Sequence, residues 1–340
     1  MNEATTGDAG FSPAPAALPR QSNQDHATSS GAVVARGLRH VYKGGTVALD
    51  GVDLEIGAGL FGLLGPNGAG KSTLMRILCT LLAPTQGSAS VFGHDVVGER
   101  AAVRSVLGYL PQEFGAWRLH RVEEVLGTLA SLSGLSDPRE RVKRVGEVLE
   151  MVGLEEVGHR KVKKLSGGML RRLGIAQALV HEPRLLVVDE PTVGLDPEER
   201  IRFRQLMAAL GRERTIILST HIVADLGAGC RDLALLDDGK VVFRGSPVEL
   251  LARAKGQVFE VAAPSGGGPP ELDAEVVSSS SVGGQMVYRF VAAKDAAGAG
   301  SLPAGAREVE SVTLEEGYLA FMTTRGRAEA AAQVEAEAAS

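Results

Sequence analysis

"GLFGLLGPNGAGKST", residues 59–73, sets an apolar run against a glycine-rich turn and a Lys-Ser pair. The run at 60–64 shows no polar alternation, the pattern of a short strand covered on both faces. The turn reads G-x-x-x-x-G-K-S. Gly65, Pro66, Asn67, Gly68, Ala69 and Gly70 form a loop whose backbone N–H groups can converge on phosphate oxygens at the start of a helix. Lys71 then neutralises the outer phosphates, the Ser72 hydroxyl can ligate Mg²⁺, and Thr73 closes the motif. A strand, phosphate loop and helix in this order predict an α/β fold that binds a nucleoside triphosphate.

Downstream, "RLLVVDEPTVGLDP" (184–197) is a second buried strand, ending in two carboxylates. Acids directly after an apolar strand are costly to bury without a cation or partner beside them. Asp189 is placed to hold the metal's water shell beside Ser72, and Glu190 to orient and deprotonate an attacking water. Asp196, before Pro197-Glu198-Glu199, reads as a helix N-cap with a capping box. A third continuous apolar run lies at 215–218, so the sheet is expected to be mostly parallel.

Between the first two strands the period becomes helical. Val122, Val125, Leu126, Leu129 and Leu132 repeat on one face and Gly134 ends the pattern. Asp137-Pro138-Arg139-Glu140 starts another helix, carrying Val142, Val145, Val148, Leu149 and Val152 up to Gly153. A helical subdomain at about 120–170 is therefore inserted into an α/β domain spanning 32–255. Residues 1–31, rich in Ala, Pro, Ser, Gln and Asn, are expected to be a disordered tail. After residue 255 the texture changes to a small accessory domain, 256–324. It has a linker at 264–270, strand candidates at 275–279 and 285–291, and a capping box at Thr313 and Glu316 that starts a short helix. The Ala/Glu-rich end, 325–340, is expected to fray.

Composition bounds the rest. The chain has 340 residues, 44% apolar and 23% charged, an ordinary globular balance. Its formal net charge of −5 gives a nucleic-acid partner no electrostatic support. No apolar run is long enough to span a bilayer, and the start of the chain, with Glu3 and Asp8, does not read as a secretory signal. Cys79 and Cys230 have no metal or disulfide spacing and suit a reducing cytosol.

"KLSGGMLRR" (164–172) is the odd stretch. A serine and two glycines precede a helix, like a second phosphate cradle, but no lysine follows. By itself it is equally a glycine turn capping the next helix.

Taken together, these residues resemble the ATP-binding-cassette (ABC) ATPases. "LPQEFG" (110–115) resembles that family's glutamine loop, with Gln112 reaching the metal and the attacking water. "LSGGM" (165–169) resembles its signature motif, "VGLDP" (193–197) the loop after its acidic strand, and "STHIV" (219–223) its switch-histidine segment. Tyr42, in "VYKGGTVALDGVDLEI", stands where the family stacks a ring on adenine. The motifs fall in the family's order over about 33–252.

The resemblance implies a P-loop NTPase (ABC ATPase) domain with a mostly parallel sheet, a small antiparallel β subdomain, an inserted helical subdomain and a small α+β C-terminal domain. It implies ATP and Mg²⁺ as cofactors, with His221 sensing the γ-phosphate. Ser166, Gly167, Gly168 and Asp196 would address the nucleotide of a second subunit, in a homodimer or a heterodimer with a similar ATPase. On this reading Gly168→Asp sets a carboxylate against that subunit's phosphate. "LDDGKVVFRGSPVELL" (236–251) and "VTLEEGYLAFM" (312–322) are further similar to ATPase subunits of bacterial drug and antibiotic exporters. That implies a cytoplasmic subunit, peripheral on the inner face of the cell membrane, driving a separate transmembrane permease docked on the helical subdomain. An importer ATPase, or a soluble ABC ATPase outside transport, remains the alternative. Two departures stand out. Met169 replaces the commoner Gln, and "RLHRV" (118–122) lacks the usual Thr N-cap. The apolar face at 317–322 suggests that the C-terminal domain stabilises the dimer.

Overall fold

The fold was obtained as a computed structural model that describes residues 31–113, 115, 117–227, 229–263, 275–292 and 302–338. The expected tail at 1–30 and linker at 264–270 lie outside the described residues.

In chain order the elements begin with β1 (Val33–Val41), β2 (Val47–Ile56), β3 (Leu60–Leu64) and α1 (Lys71–Leu78). Next come β4 (Gln86–Val91), β5 (His94–Asp95), α2 (Arg100–Val106) and β6 (Leu107–Leu110). The inserted helices are α3 (Val122–Leu132) and α4 (Pro138–Met151), followed by α5 (Gly167–Leu179). Then follow β7 (Leu185–Asp189), α6 (Pro197–Leu210), β8 (Thr215–Thr220), β9 (Cys230–Asp237), β10 (Lys240–Gly245) and α7 (Pro247–Ala254). The chain continues with β11 (Val258–Ala262), β12 (Glu275–Val282), β13 (Gln285–Val291), β14 (Arg307–Glu308) and α8 (Leu314–Ala338).

The central sheet has the order β10-β9-β3-β8-β7-β6. Its members from β9 to β6 run parallel, and β10 is antiparallel at one edge. Alternation along its strands explains the continuous apolar runs. Leu64, Leu186, Val188, Ile216 and Leu218 enter one core with the helices α3 to α6. Leu63, Leu185, Val187 and Ile217 enter a second core with α1 and the antiparallel sheet β2-β1-β4-β5. Both faces are covered, so neither face of a strand can be polar.

The helix ends follow sequence chemistry. Asp137 accepts from Arg139 N at 2.8 Å with Pro138 in the first turn, and Gly134 and Gly153 take left-handed φ of 100° and 65° after their helices. At α3, where no Thr is present to cap, the Glu124 carboxylate accepts from the Arg121 N–H at 2.8 Å and supplies the cap from inside the helix.

Beyond α7, a third sheet, β12-β13-β11-β14, packs with α8. The capping box forms, Thr313 Oγ1 accepting from Glu316 N and Glu316 Oε2 from Thr313 N. Two expectations are corrected here. The helix is not short: it runs to Ala338, through residues expected to fray. Nor is its apolar face free for a second subunit. Leu314, Tyr318 and Phe321 pack on the cassette's own core, Phe321 meets Phe243 edge-on at 5.6 Å, and Ala320 is fully buried. Hydrophobic burial within the chain has already used this surface.

Candidate nucleotide site

The phosphate loop leaves the C-terminal end of β3, in the middle of the sheet. Two of its glycines are required by packing. A Cβ on Gly65 would lie 2.1 Å from Leu236 O, and one on Gly70, at φ +101°, would lie 2.3 Å from Ala48 O. Around Gly68, also at positive φ, the space is open. No side chain caps the N-terminus of α1, so its N–H groups and dipole are left for an anion.

Lys71 is 5% exposed. Its ammonium donates to Gly65 O at 2.8 Å and Pro66 O at 3.0 Å, and pairs with Glu190 Oε1 at 3.3 Å. Glu190 follows β7 in a left-handed conformation, φ +47°, which a non-glycine residue adopts only when its surroundings impose it. Its N–H donates to Ser219 O at 3.0 Å, tying it to β8. Its other oxygen, Oε2, lies 2.5 Å from His221 Nδ1. The carboxylate is thus held between an ammonium and an imidazole.

These residues face a cleft of about 690 Å³ lined by Tyr42, Asn67, Gly68, Gly70, Lys71, Ser72, Thr73, Gln112, Glu190 and His221, among others. Tyr42 Oη is 3.1 Å from Thr73 Oγ1, which fixes the ring at the mouth of the loop. Asp189 lies beneath rather than on the wall. It is 2% exposed, and its Oδ1 is buried with no hydrogen-bond partner among the described residues. Such an oxygen is costly unless a cation completes it. Asp189 and the Ser72 hydroxyl offer hard oxygen donors, which fit Mg²⁺. The negative charge of Asp189 acts locally: burial first, and then this carboxylate, push the neighbouring Cys79 thiol well up.

The signature residues are elsewhere. Ser166 caps α5, its Oγ accepting from Met169 N at 3.2 Å. Gly167 is unobstructed, whereas a Cβ on Gly168 would lie 2.6 Å from the Glu199 carboxyl group. Glu199 is held by Arg172 at 3.4 Å and Arg202 at 3.1 Å. Two expectations change. The capping box at Asp196 is only half made: Asp196 Oδ1 accepts from Glu199 N at 2.8 Å, but the Glu199 side chain turns to the two arginines. And Gly168 looks inward, so an aspartate there meets Glu199 before it meets any second subunit. Gly167 is the open position.

Several residues were not singled out in the sequence. Arg171, on α5, donates to Gln112 O at 2.8 Å and so ties the glutamine loop to the signature helix. Asp225, 2% exposed, accepts from both Thr192 Oγ1 and Thr220 Oγ1, the latter at 3.4 Å. It braces the segment after Glu190 against the segment holding His221. Arg144 closes the far end of α5, donating to Leu179 O at 2.7 Å and Val180 O at 3.0 Å. The available signal was an isolated polar residue in an apolar stretch, Asp225 between Val223 and Leu226.

A parallel sheet, a phosphate loop at the end of its central strand and a carboxylate after the adjoining buried strands define a nucleotide-binding cassette. A sequence profile described as ABC transporter matches residues 49–193. The chain is 38% identical over 197 residues to YxlF, an ABC transporter ATP-binding protein of Bacillus subtilis (strain 168), covering 58% of this chain and 65% of that protein. It is 41% identical to the daunorubicin/doxorubicin resistance ATP-binding protein DrrA of Streptomyces peucetius, covering 64% and 66%. To the Nod factor export ATP-binding protein I of Rhizobium sp. (strain N33) it is 36% identical, covering 73% and 83%. The dimeric ABC transporter cassette MJ0796 superposes with a TM-score of 0.58 at 28% identity, over 63% of this chain and 98% of that one. The chain belongs to the ABC transporter family, among its ATP-binding proteins. It spans just under two thirds of the length of the first two relatives named.

Proposed function

We propose that the chain is the ATP-hydrolysing subunit of an exporter, closing as a dimer around two Mg·ATP to drive a separate membrane permease from the inner face of the cell membrane. The observation that carries the hydrolytic part is the position of Glu190 between Lys71 and His221. The Lys71 ammonium donates to Gly65 O and Pro66 O and pairs with Glu190. A triphosphate in the loop competes for that ammonium and frees Glu190 Oε1. Glu190 then takes a proton from water as the water oxygen bonds to the γ-phosphorus. The bond from that phosphorus to the bridging oxygen breaks, and ADP and phosphate remain. His221, held to Oε2, orients the base and faces the same cleft. Ser72, Asp189 and Gln112 would hold Mg²⁺, which supplies charge neutralisation on the phosphates. The export direction rests on the similarity to DrrA and the Nod factor protein, both named for resistance or export.

Glu190→Gln tests the reading. Turnover is expected to fall by about 10²–10⁴-fold while ATP binding persists and ATP-loaded dimers accumulate on size exclusion. Hydrolysis at the wild-type rate would remove Glu190 from the role of base.

A further inference from the structure

The end of the central sheet opposite the nucleotide site holds a second cleft. β3, β7 and β8 run parallel, so the phosphate loop, Asp189 and Thr220 lie at one end of them. Their other ends also lie together: Thr215 N donates to Arg184 O at 3.1 Å and Ile216 N to Gly59 O at 2.9 Å. Gly59, Arg184 and Thr215 line a cleft of about 610 Å³. The five residues of β7 span about 17 Å and separate the two sites. Four arginines, Arg144, Arg184, Arg212 and Arg214, stand in the cleft wall against two glutamates, Glu182 and Glu213. That is an excess of two positive charges in a chain of net charge −5.

One of the four is committed. Arg144 pairs with Glu147 at 3.2 Å and Glu182 at 3.3 Å, besides closing α5. Arg184 lays its guanidinium on the Phe92 ring at 3.9 Å. Stacking uses the face of the group, and its N–H edge has no hydrogen bond or ion pair among the described residues. The exposed Arg212 side chain has neither among them. Arg214 is the decisive case. Its side chain is 14% exposed, and the Glu213 carboxylate, itself 80% exposed, lies 3.9 Å from Nη2, beyond hydrogen-bond distance. Nε and Nη1 are buried with no hydrogen-bond partner among the described residues, and among these it is the one side chain with two such atoms. Covered donors without acceptors are costly, as the Asp189 oxygen is at the other end of β7. There the fitting partner is a cation; here it is an anion.

We propose that this cleft binds a small phosphorylated molecule. Three guanidinium groups reaching one cleft from separate positions suit a tetrahedral phosphate, which offers oxygens in three directions; a carboxylate offers two in one plane. A phosphate monoester carries a charge of about −1.5 to −2 at neutral pH, which matches the excess in the wall. A small turn of the Arg214 guanidinium hands its covered donors to that phosphate. The volume has room for the organic part as well, which rests against Phe92, Met151 and Pro183. Arg144 and Met151 belong to α4, so the bound molecule bridges the inserted helices and the sheet. The site goes beyond the hydrolytic reading and does not depend on it.

The full chain, saturated with Mg·ADP so that the phosphate loop is filled, is titrated calorimetrically at constant ionic strength. The probes are glycerol 3-phosphate, inorganic phosphate and glycerol. Saturable binding of glycerol 3-phosphate, weaker binding of inorganic phosphate and none of glycerol are expected. Arg212→Glu reverses an exposed charge and should fold as the wild type does. It should weaken glycerol 3-phosphate by at least about tenfold, with ADP affinity and ATP turnover unchanged. Arg214→Lys keeps the charge but loses the fork, and a loss of about tenfold is expected again. Absence of saturable binding by either phosphate overturns the proposal. So does binding unchanged in Arg212→Glu, equal affinity for succinate, or tighter binding of inorganic phosphate than of the ester. Absent glycerol 3-phosphate binding, with Glu190→Gln inactive as expected, sinks this inference alone. Wild-type turnover in Glu190→Gln, with glycerol 3-phosphate binding intact, sinks the catalytic reading alone.

Discussion

Two glycine loops stand at two helix N-termini in this chain, and they are built oppositely. At 65–70 two of the three glycines are pressed against backbone: Leu236 O and Ala48 O leave no room for a Cβ on Gly65 or Gly70, and no side chain caps α1. A buried lysine, two carboxylates and a histidine from the same chain gather at this uncapped helix end. At 166–168 the serine already caps α5, Gly168 is pressed against Glu199, and only Gly167 is open. Among the described residues, Glu199 with Arg172 and Arg202 stands beside this second loop. The difference teaches that a glycine-rich helix start is a local recipe. Whether it holds its own ligand depends on what the sheet brings beside it.

The comparison can be broken in graded steps. Gly70→Ala should have the largest effect: a Cβ 2.3 Å from Ala48 O at φ +101° is expected to cost about 3 kcal/mol or more and abolish ATP binding, read by urea melts and nucleotide titration. Gly167→Asp should leave stability within about 0.5 kcal/mol, since nothing lies within 4 Å. Yet turnover should fall by about 10²-fold if this loop donates to a second subunit's phosphate. Normal turnover would make the loop a structural cap only.

Smaller effects sharpen the picture. Gly168→Ala meets the end of a flexible carboxylate, so about 1–2 kcal/mol is expected, with non-additivity in a double-mutant cycle with Glu199→Ala. Ser166→Ala removes the cap at Met169 N and should cost about 1 kcal/mol. Finally, burial pushes the Cys230 thiol from 9.0 to about 11. The folded state therefore holds that proton more tightly than the unfolded chain. Its contribution to stability is intact below pH 9 and is lost as pH rises through about 11, so chemical melts across that range should show stability falling. Comparisons between the loops belong below it.

Legibility differed by feature. Continuous apolar strands, the helical repeat of α3, the Asp137 cap and the Thr313 box could be read because each depends on neighbours within a few positions. The phosphate loop was legible for the same reason. Three features could not be read. Glu199 beside Gly168, Asp225 bridging Thr192 to Thr220, and the edge-on contact of Phe321 with Phe243 join residues 28 to 78 positions apart. The apolar stripe at 317–322 was visible, but a stripe announces burial without naming the surface that covers it.

By itself, then, the sequence determined the local chemistry: where glycine-rich turns start helices, which strands are covered on both faces, which acids end a strand. Period, capping and backbone freedom are short-range properties, and the chain order carries them. Only the tertiary structure decided which of these elements share a site. Parallel pairing of β7 with β8 sets Asp189 opposite Ser219, so that Glu190 reaches both His221 and Lys71, and backbone pairing sets 118–122 beside 160–163. Both depend on strand register across long loops, which no local pattern specifies.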